Sequence, residues 1–377
     1  MIRWNAALPA LFLLSLLARA QSATPSEAIS LQEQGKWDEA AQVWKRVVAK
    51  NPRDAEAFAS LGVDLAKEAH YAEAVSAYRQ ALALNPRLPG IELNLGLAEF
   101  KQGHFAAAIP SLKAALVQNP ASAQATTLLG LSYYGSKQFG EAATYLDKVA
   151  KTDRSNSELN QFLAQSCLWI KRYQCALDAV HRILQDQPDS AAAHMLTGEA
   201  LDGLDRTDAA IAEFERAAQV SPLEPNLHFG LGYLYWKKQR FDSAKSEFQR
   251  ELSADPNHAQ AIAYLGDVSM KQGDLEGALS LLNKSIQLKP DLRFSYMDLG
   301  ILLTGQKKYD GAIDAFKKAI TLDRSQADAH YRLARIYQLL GRKADSEREF
   351  ATVVQLHNTE DQSLTVRMPL PRAPEQN

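Results

Sequence analysis

The chain has 377 residues, 46% of them apolar and 23% charged, a balance that excludes a disordered chain, a collagen-like one and a membrane-spanning body. Its 42 basic and 44 acidic side chains leave a net charge of −2, and no concentrated basic stripe is present, which argues against nucleic acid or anionic lipid as partner. A chain this long ordinarily splits into two or three compact domains, unless one repeating unit is stacked end to end.

The first twenty residues stand apart. Arg3 gives a positive start, Ala6 to Leu17 form an apolar run, and Ala18-Arg19-Ala20 place small residues around a cut. This reads as a signal peptide, residues 1–20, cleaved after Ala20. The alternatives are an uncleaved anchor and a chance apolar start, and the run is short for a membrane span. No Cys follows it, so a lipid-modified signal is not indicated. Cleavage removes Arg3 and Arg19 and no acid, which moves the balance from 42 against 44 to 40 against 44. The expected product is an exported protein, periplasmic or secreted, with no stable membrane span.

From there a period takes over. Pro52, Pro86, Pro120, Pro188, Pro222, Pro256 and Pro290 are spaced by 34 residues or twice that. At the same step Gly or Ala stands at Ala28, Gly62, Gly96, Gly130, Ala164, Gly198, Gly232, Gly266, Gly300 and Ala334. A second small series runs from Ala40 through Ala74 and Ala108 to Ala312 and closes with Ser346. Within one unit, 55–88, apolar residues recur at helical spacing twice, at Phe58, Leu61 and Leu65 and at Val75, Tyr78 and Leu82. The spacing predicts two helices folded back on each other, with the small residues allowing close approach. Bulky residues such as Trp44, Tyr78, Phe214, Phe248, Phe316 and Phe350 fill the space beside them. Proline ends each second helix, and a following residue such as Asp54 or Asp189 caps the next.

The 34-residue spacing, with Leu61-Gly62, Ala74, Tyr78, Ala81 and Pro86 in one unit, resembles the tetratricopeptide repeat. The resemblance covers ten units: 21–54, 55–88, 89–122, 123–156, 157–190, 191–224, 225–258, 259–292, 293–326 and 327–360. It implies an all-α, right-handed superhelical solenoid of antiparallel helix pairs. Arg154, Arg324 and Asn358 stand where proline is usual, and Glu251 and Ser285 where Ala is usual. Residues 361–377, with Pro369, Pro371 and Pro374, read as a flexible tail. Pro110 falls inside a second helix, where at most a slight bend is expected.

No catalytic constellation is found, and an enzyme is not expected. His194, His228 and His330 share one place in their units and lie in different units, without the paired spacing of a metal site on a helix, so packing is the expected role. Gly230-Leu231-Gly232 lacks the third glycine and the preceding strand of a dinucleotide loop. Asp202, Asp205 and Asp208 lack the alternate spacing of a calcium loop. No metal and no cofactor is implied. Cys167 and Cys175 lie on either side of a turn, and either a disulfide or two separate thiols fits that placement.

The resemblance also implies that first helices line an inner, concave wall. Its inward places put Phe100, Tyr134, Trp169, Met195, Phe229, Tyr233, Trp236, Tyr264, Met270, Met297 and Tyr331 there. Aromatic and Met side chains offer large, adaptable contact area, which suits an apolar peptide segment or helix in the groove. The expectation is a non-catalytic protein-protein interaction scaffold holding a protein or peptide partner. A carrier or chaperone for lipid or another apolar ligand is the alternative. The oligomeric state is not legible.

Overall fold

The computed structural model describes residues 23–367, with side chains up to Asn358, so the proposed signal peptide lies outside the described residues. Among these residues the chain forms twenty helices and no strand. It divides into two compact units, one ending at Pro188 and the other beginning at Asp189. The first unit holds five pairs: α1 (Pro25–Glu33) with α2 (Trp37–Lys50), α3 (Ala55–Lys67) with α4 (Tyr71–Leu84), α5 (Ile91–Lys101) with α6 (Phe105–Gln118), α7 (Ala123–Gly135) with α8 (Phe139–Ala150), and α9 (Ser157–Trp169) with α10 (Tyr173–Asp186). The second holds α11 (Ala191–Gly203) with α12 (Thr207–Val220), α13 (Leu227–Lys237) with α14 (Phe241–Ala254), α15 (Ala259–Lys271) with α16 (Leu275–Leu288), α17 (Arg293–Gly305) with α18 (Tyr309–Leu322), and α19 (Ala327–Leu339) with α20 (Lys343–Arg367). Each is an all-α solenoid of helix pairs in the register that the prolines and small residues indicate.

The close approach within a pair is set by one contact. A Cβ built on Gly62 would lie 2.5 Å from the Tyr78 ring, on Gly198 2.5 Å from Phe214, on Gly232 2.7 Å from Phe248 and on Gly300 2.6 Å from Phe316. Tyr78, Phe214, Phe248 and Phe316 are all buried. The ring of the second helix therefore lies flat on bare backbone of the first, with Ala74, Ala210, Ala244 and Ala312 buried beside it. At Gly266 the neighbour is Leu282, at 3.1 Å, a looser fit.

The turn inside each pair has three residues, and its middle one is left-handed in all ten. Glycine serves at Gly35, Gly103, Gly273 and Gly341, but Ala69, Lys137, Lys171, Asp205, Gln239 and Lys307 adopt the same conformation with φ between 57 and 59°. The chain reverses through a six-to-one hydrogen bond, as from the His70 N–H to the Leu65 carbonyl at 2.8 Å. That is the Schellman closure of a helix, and it needs the left-handed residue.

Six of the ten first helices begin at a side-chain cap. Asp54, Ser122, Asn156 and Ser190 each accept the backbone N–H three residues on. Ser190 is the cap of α11, in place of the expected Asp189. Where Pro89 and Pro225 precede the helix, α5 and α13 start later, behind left-handed Gly90, which has no side chain to cap with, and left-handed Asn226, whose side chain does not cap the helix. Glu251 of α14 replaces the missing cap of α13: its carboxylate accepts the N–H of Asn226 at 3.3 Å and of Phe229 at 3.0 Å. Ser285 likewise has a task, donating to the Ala259 carbonyl at 2.9 Å while the Ser295 hydroxyl sits 2.8 Å away. Both departures from Ala are hydrogen-bonding devices.

Departures from proline are accommodated locally. At Arg154, α8 stops at Ala150 and the buried Asn160 amide braces the loop by donating to the carbonyls of Arg154 and Asn156, both at 2.9 Å. Before Arg324, the Asp323 carboxylate accepts the Ser325 N–H at 2.9 Å. At Asn358 no proline stops the helix, and α20 continues past Glu360 to Arg367, over the first residues of the expected tail. Pro110 is the sixth residue of α6, exposed, and the helix runs through it to Gln118.

Replacing Gly198 or Gly232 by Ala is expected to lower the thermal midpoint, overpacking costing about 1–3 kcal/mol, while Gly266→Ala costs less because Leu282 can yield. Equal midpoints for the three variants in calorimetry would contradict this account of the pair contact. Lys137→Gly and Lys307→Gly should each raise the midpoint, relieving about 1 kcal/mol of left-handed strain. Val at the same positions should lower it.

Candidate partner-binding surface

Within each unit the second helix of one pair packs on the first helix of the next, and first helices of successive pairs also meet. α3 lies against α5, α5 against α7 and α7 against α9; in the second unit α11 lies against α13, α13 against α15 and α15 against α17. No two second helices approach comparably. Side chains projecting from first helices of successive pairs therefore share one side of each unit.

In the second unit this side carries a connected set of rings. Tyr264 is its hub: Phe229, Tyr233, Trp236 and Phe294 lie 6.0, 5.7, 5.0 and 4.3 Å from it, centroid to centroid. All five are half-buried, so each combines fixed contacts with an open face. The Trp236 indole N–H donates to Asp267, whose carboxylate also takes the Lys271 ammonium at 2.6 Å. A buried, doubly bonded acid thus sets the orientation of the largest ring. In the first unit Trp169 stacks on Phe139 at 5.1 Å with planes 7° apart, and Tyr134 sits edge-on to Phe139 and Phe162. The Tyr134 hydroxyl donates to Gln165 at 2.7 Å. Trp169 remains 68% exposed.

The other expected wall residues divide. Tyr331 is 50% exposed and stands edge-on to Phe350, and Phe100 rests on Phe105. Met195 is half-buried. Met270 packs against the cluster of Ala278, Leu282 and Leu302. Met297 is a correction to the expected wall: at 6% exposure it belongs to the core with Ile313, Phe316 and Leu333 and offers no contact surface. Its place on the helix faces the following pair instead of the opening.

Three of the buried carboxylates carry no signal in the sequence. Asp298, 5% exposed on α17, has no hydrogen-bond partner for its Oδ2 among the described residues. Burial, reinforced by the Asp267 carboxylate and opposed by Lys271 and Arg332, pushes it up to about 8. Asp64 accepts from the Gln32 amide at 2.7 Å, and burial pushes it up to about 6. Asp267 is the third. Each occurs at a place that repeats no acid in neighbouring units, so periodicity could not signal them.

The three in-register histidines are packing residues with a specific partner. His194, His228 and His330 place Nδ1 at 2.7, 2.7 and 2.6 Å from the carboxylates of Glu213, Glu247 and Glu349 on the paired second helix. The joint recurrence of His and Glu nineteen residues apart was the available signal. Cys167 and Cys175 are bonded to each other across the α9–α10 turn, with Cα atoms 5.9 Å apart. Among the described residues no cluster of three His, Cys, Asp or Glu side chains is placed to hold a metal, and no helix is long and apolar enough to cross a membrane.

Sequence profiles described as Tetratricopeptide repeat match residues 26–89, 93–157 and 229–292, and another match covers 133–200. One described as TPR repeat matches 300–341. No curated protein matches the chain. Among solved structures, a tetratricopeptide repeat protein from Parabacteroides merdae is 16% identical with a TM-score of 0.50, over 62% of this chain and 93% of that one. Yeast Tom70 is 15% identical with a TM-score of 0.45, over 90% and 92%. MamA is 19% identical with a TM-score of 0.39, over 44% and 96%.

Asp298 makes stability depend on pH. Its folded form keeps a proton that the unfolded chain releases near the ordinary carboxylate range, so stability falls as pH rises from about 4 to about 8. Asp298→Asn should therefore raise the thermal midpoint by a few degrees at pH 8, with the gain shrinking toward pH 4. A gain that does not vary with pH would show that the carboxyl is not held protonated.

Proposed function

Because the chain belongs to the tetratricopeptide repeat family, whose members bind protein partners, we propose that it is a non-catalytic interaction scaffold whose inner aromatic wall docks an apolar peptide segment or helix. The observation that carries this reading is the ring set of α13, α15 and α17. Phe229, Tyr233, Trp236, Tyr264 and Phe294 hold one another in place while each stays half-buried. Rings immobilised before binding lose little side-chain entropy when a partner arrives, and aromatic anchors of this kind dominate interface energies. Asp267 strengthens the case by locking the indole of Trp236 from behind. Trp169 on Phe139 provides a second, more exposed platform in the first unit.

The protein is further read as exported, with residues 1–20 removed. The mass of the protein isolated from its native source should then begin at Gln21, and a chain retaining Met1 would refute processing.

Partners captured from native envelope or culture fractions by the wild-type protein should be lost, or weakened by at least about tenfold, with the Tyr233→Ala, Trp236→Ala double variant at unchanged helicity. Identical recovery by both proteins would remove the wall from the binding site. Lipid in organic extracts of the wild type, absent from the variant, would favour carriage of an apolar ligand instead.

A further inference from the structure

The Cys167–Cys175 bridge joins two sulfurs with different surroundings. Cys167 is fully buried on α9, whereas Cys175 is half-buried and lines a surface cavity beside α8 and α10. The same cavity presents Lys148, Lys151, Arg172 and Arg182, against only two acids, Asp147 and Asp178. Both acids are engaged: Asp147 pairs with Lys151 at 2.7 Å, and Asp178 accepts from the Gln174 amide at 2.9 Å. The cavity is therefore cationic on balance. Cys175 is also the third residue of α10, whose N-terminus has no side-chain cap.

We propose that Cys175 is a site of reversible thiol–disulfide exchange with small anionic thiols. The attacking thiolate must approach Cys175 Sγ along the S–S axis, from the side opposite the leaving sulfur. Cys175 lines the cavity, whereas Cys167 is fully buried, so approach to Cys175 is the open one. A bond forms between the incoming sulfur and Cys175 Sγ, the S–S bond breaks, and its electron pair leaves on Cys167 Sγ, which takes a proton. The product is a mixed disulfide at Cys175 and a buried thiol at Cys167. Return attack by Cys167 expels the small thiol and restores the bridge. Attack by a second small thiolate on the mixed disulfide instead gives the small disulfide and a Cys175 thiolate, which lies in the first turn of an uncapped helix and shares its cavity with Arg172. Both features favour a thiolate. Cationic walls raise the local concentration of an anionic thiol, which supplies selectivity by charge. Opening the bridge would release the covalent tie across the α9–α10 turn, two residues from Trp169.

The test uses the full folded chain and three thiols at equal thiolate concentration: mercaptoethanesulfonate, 2-mercaptoethanol and cysteamine. The expected order of exchange rates is anionic, then neutral, then cationic, with about a tenfold spread at low salt that collapses at high salt. Peptide mapping should find the adduct on Cys175 and a free thiol on Cys167. The Lys151→Gln, Arg172→Gln variant should lose the charge order while retaining the bridge. Equal rates for the three thiols in the wild type, an adduct on Cys167, reaction only in denaturant, or two free thiols in untreated protein would each overturn the proposal. A variant that unfolds leaves the wild-type rate order and adduct position to decide.

Discussion

The structure depends on a ring, or a leucine, lying on a glycine. Two helices carrying large apolar faces would ordinarily be held about 8–10 Å apart by their side chains. Here the first helix of most pairs presents bare backbone where the second presents Tyr78, Leu112, Leu146, Phe214, Phe248, Leu282 or Phe316. The large side chain fills the gap that the missing Cβ leaves, and the flanking alanines of the second helix complete the close contact. Seven of the ten pairs are built on this contact and the other three place Ala28, Ala164 or Ala334 at the same position, so the pairs are alike enough to stack, and stacking like wedges is what makes a solenoid.

Close pairs have a consequence for the inner side. First helices of successive pairs come close in most of each unit, whereas second helices stand farther apart and meet through long side chains, as Lys45 of α2 does with Glu73 of α4, so side chains between first helices are the more crowded. Crowding turns Phe229, Tyr233, Trp236, Tyr264 and Phe294 into one connected set, each ring braced by others. It also forces polar groups in this layer to find partners or bear the cost. Asp267 finds two, Trp236 and Lys271. Asp298 lacks one for Oδ2 and keeps its proton instead. An unpaired carboxyl beside a half-open aromatic wall is a stability cost of the kind found near binding surfaces.

Irregular positions show where one repeat was adjusted to its neighbours. Glu251 caps a helix that Pro225 and Asn226 cannot cap. Asn160 secures a loop that lacks proline. The bridge between Cys167 and Cys175 crosses a turn whose middle residue, Lys171, is left-handed without being glycine. In each case one residue type that breaks the repeat supplies a hydrogen bond or a covalent tie that the regular residue lacks.

Much of the fold was legible because its causes are local and periodic. Proline spacing marks where second helices end, and alternation of small and large residues at 34-residue steps marks which faces meet. What could not be read depends on which side chains meet once the pairs are stacked. Met297 and Met270 sit at inward places yet pack into neighbouring pairs. The His–Glu pairs span two helices, and Asp298 is buried by residues from other units. Ser190 caps α11 although Asp189 precedes it, a choice made by one residue of backbone geometry. Sequence by itself determined the helices, their pairing and their register, because these follow from steric and propensity rules acting within 34 residues. Tertiary structure decided which inner rings stay open, which acids lose water and which cysteine sulfur faces solvent, because burial is set by neighbours far along the chain.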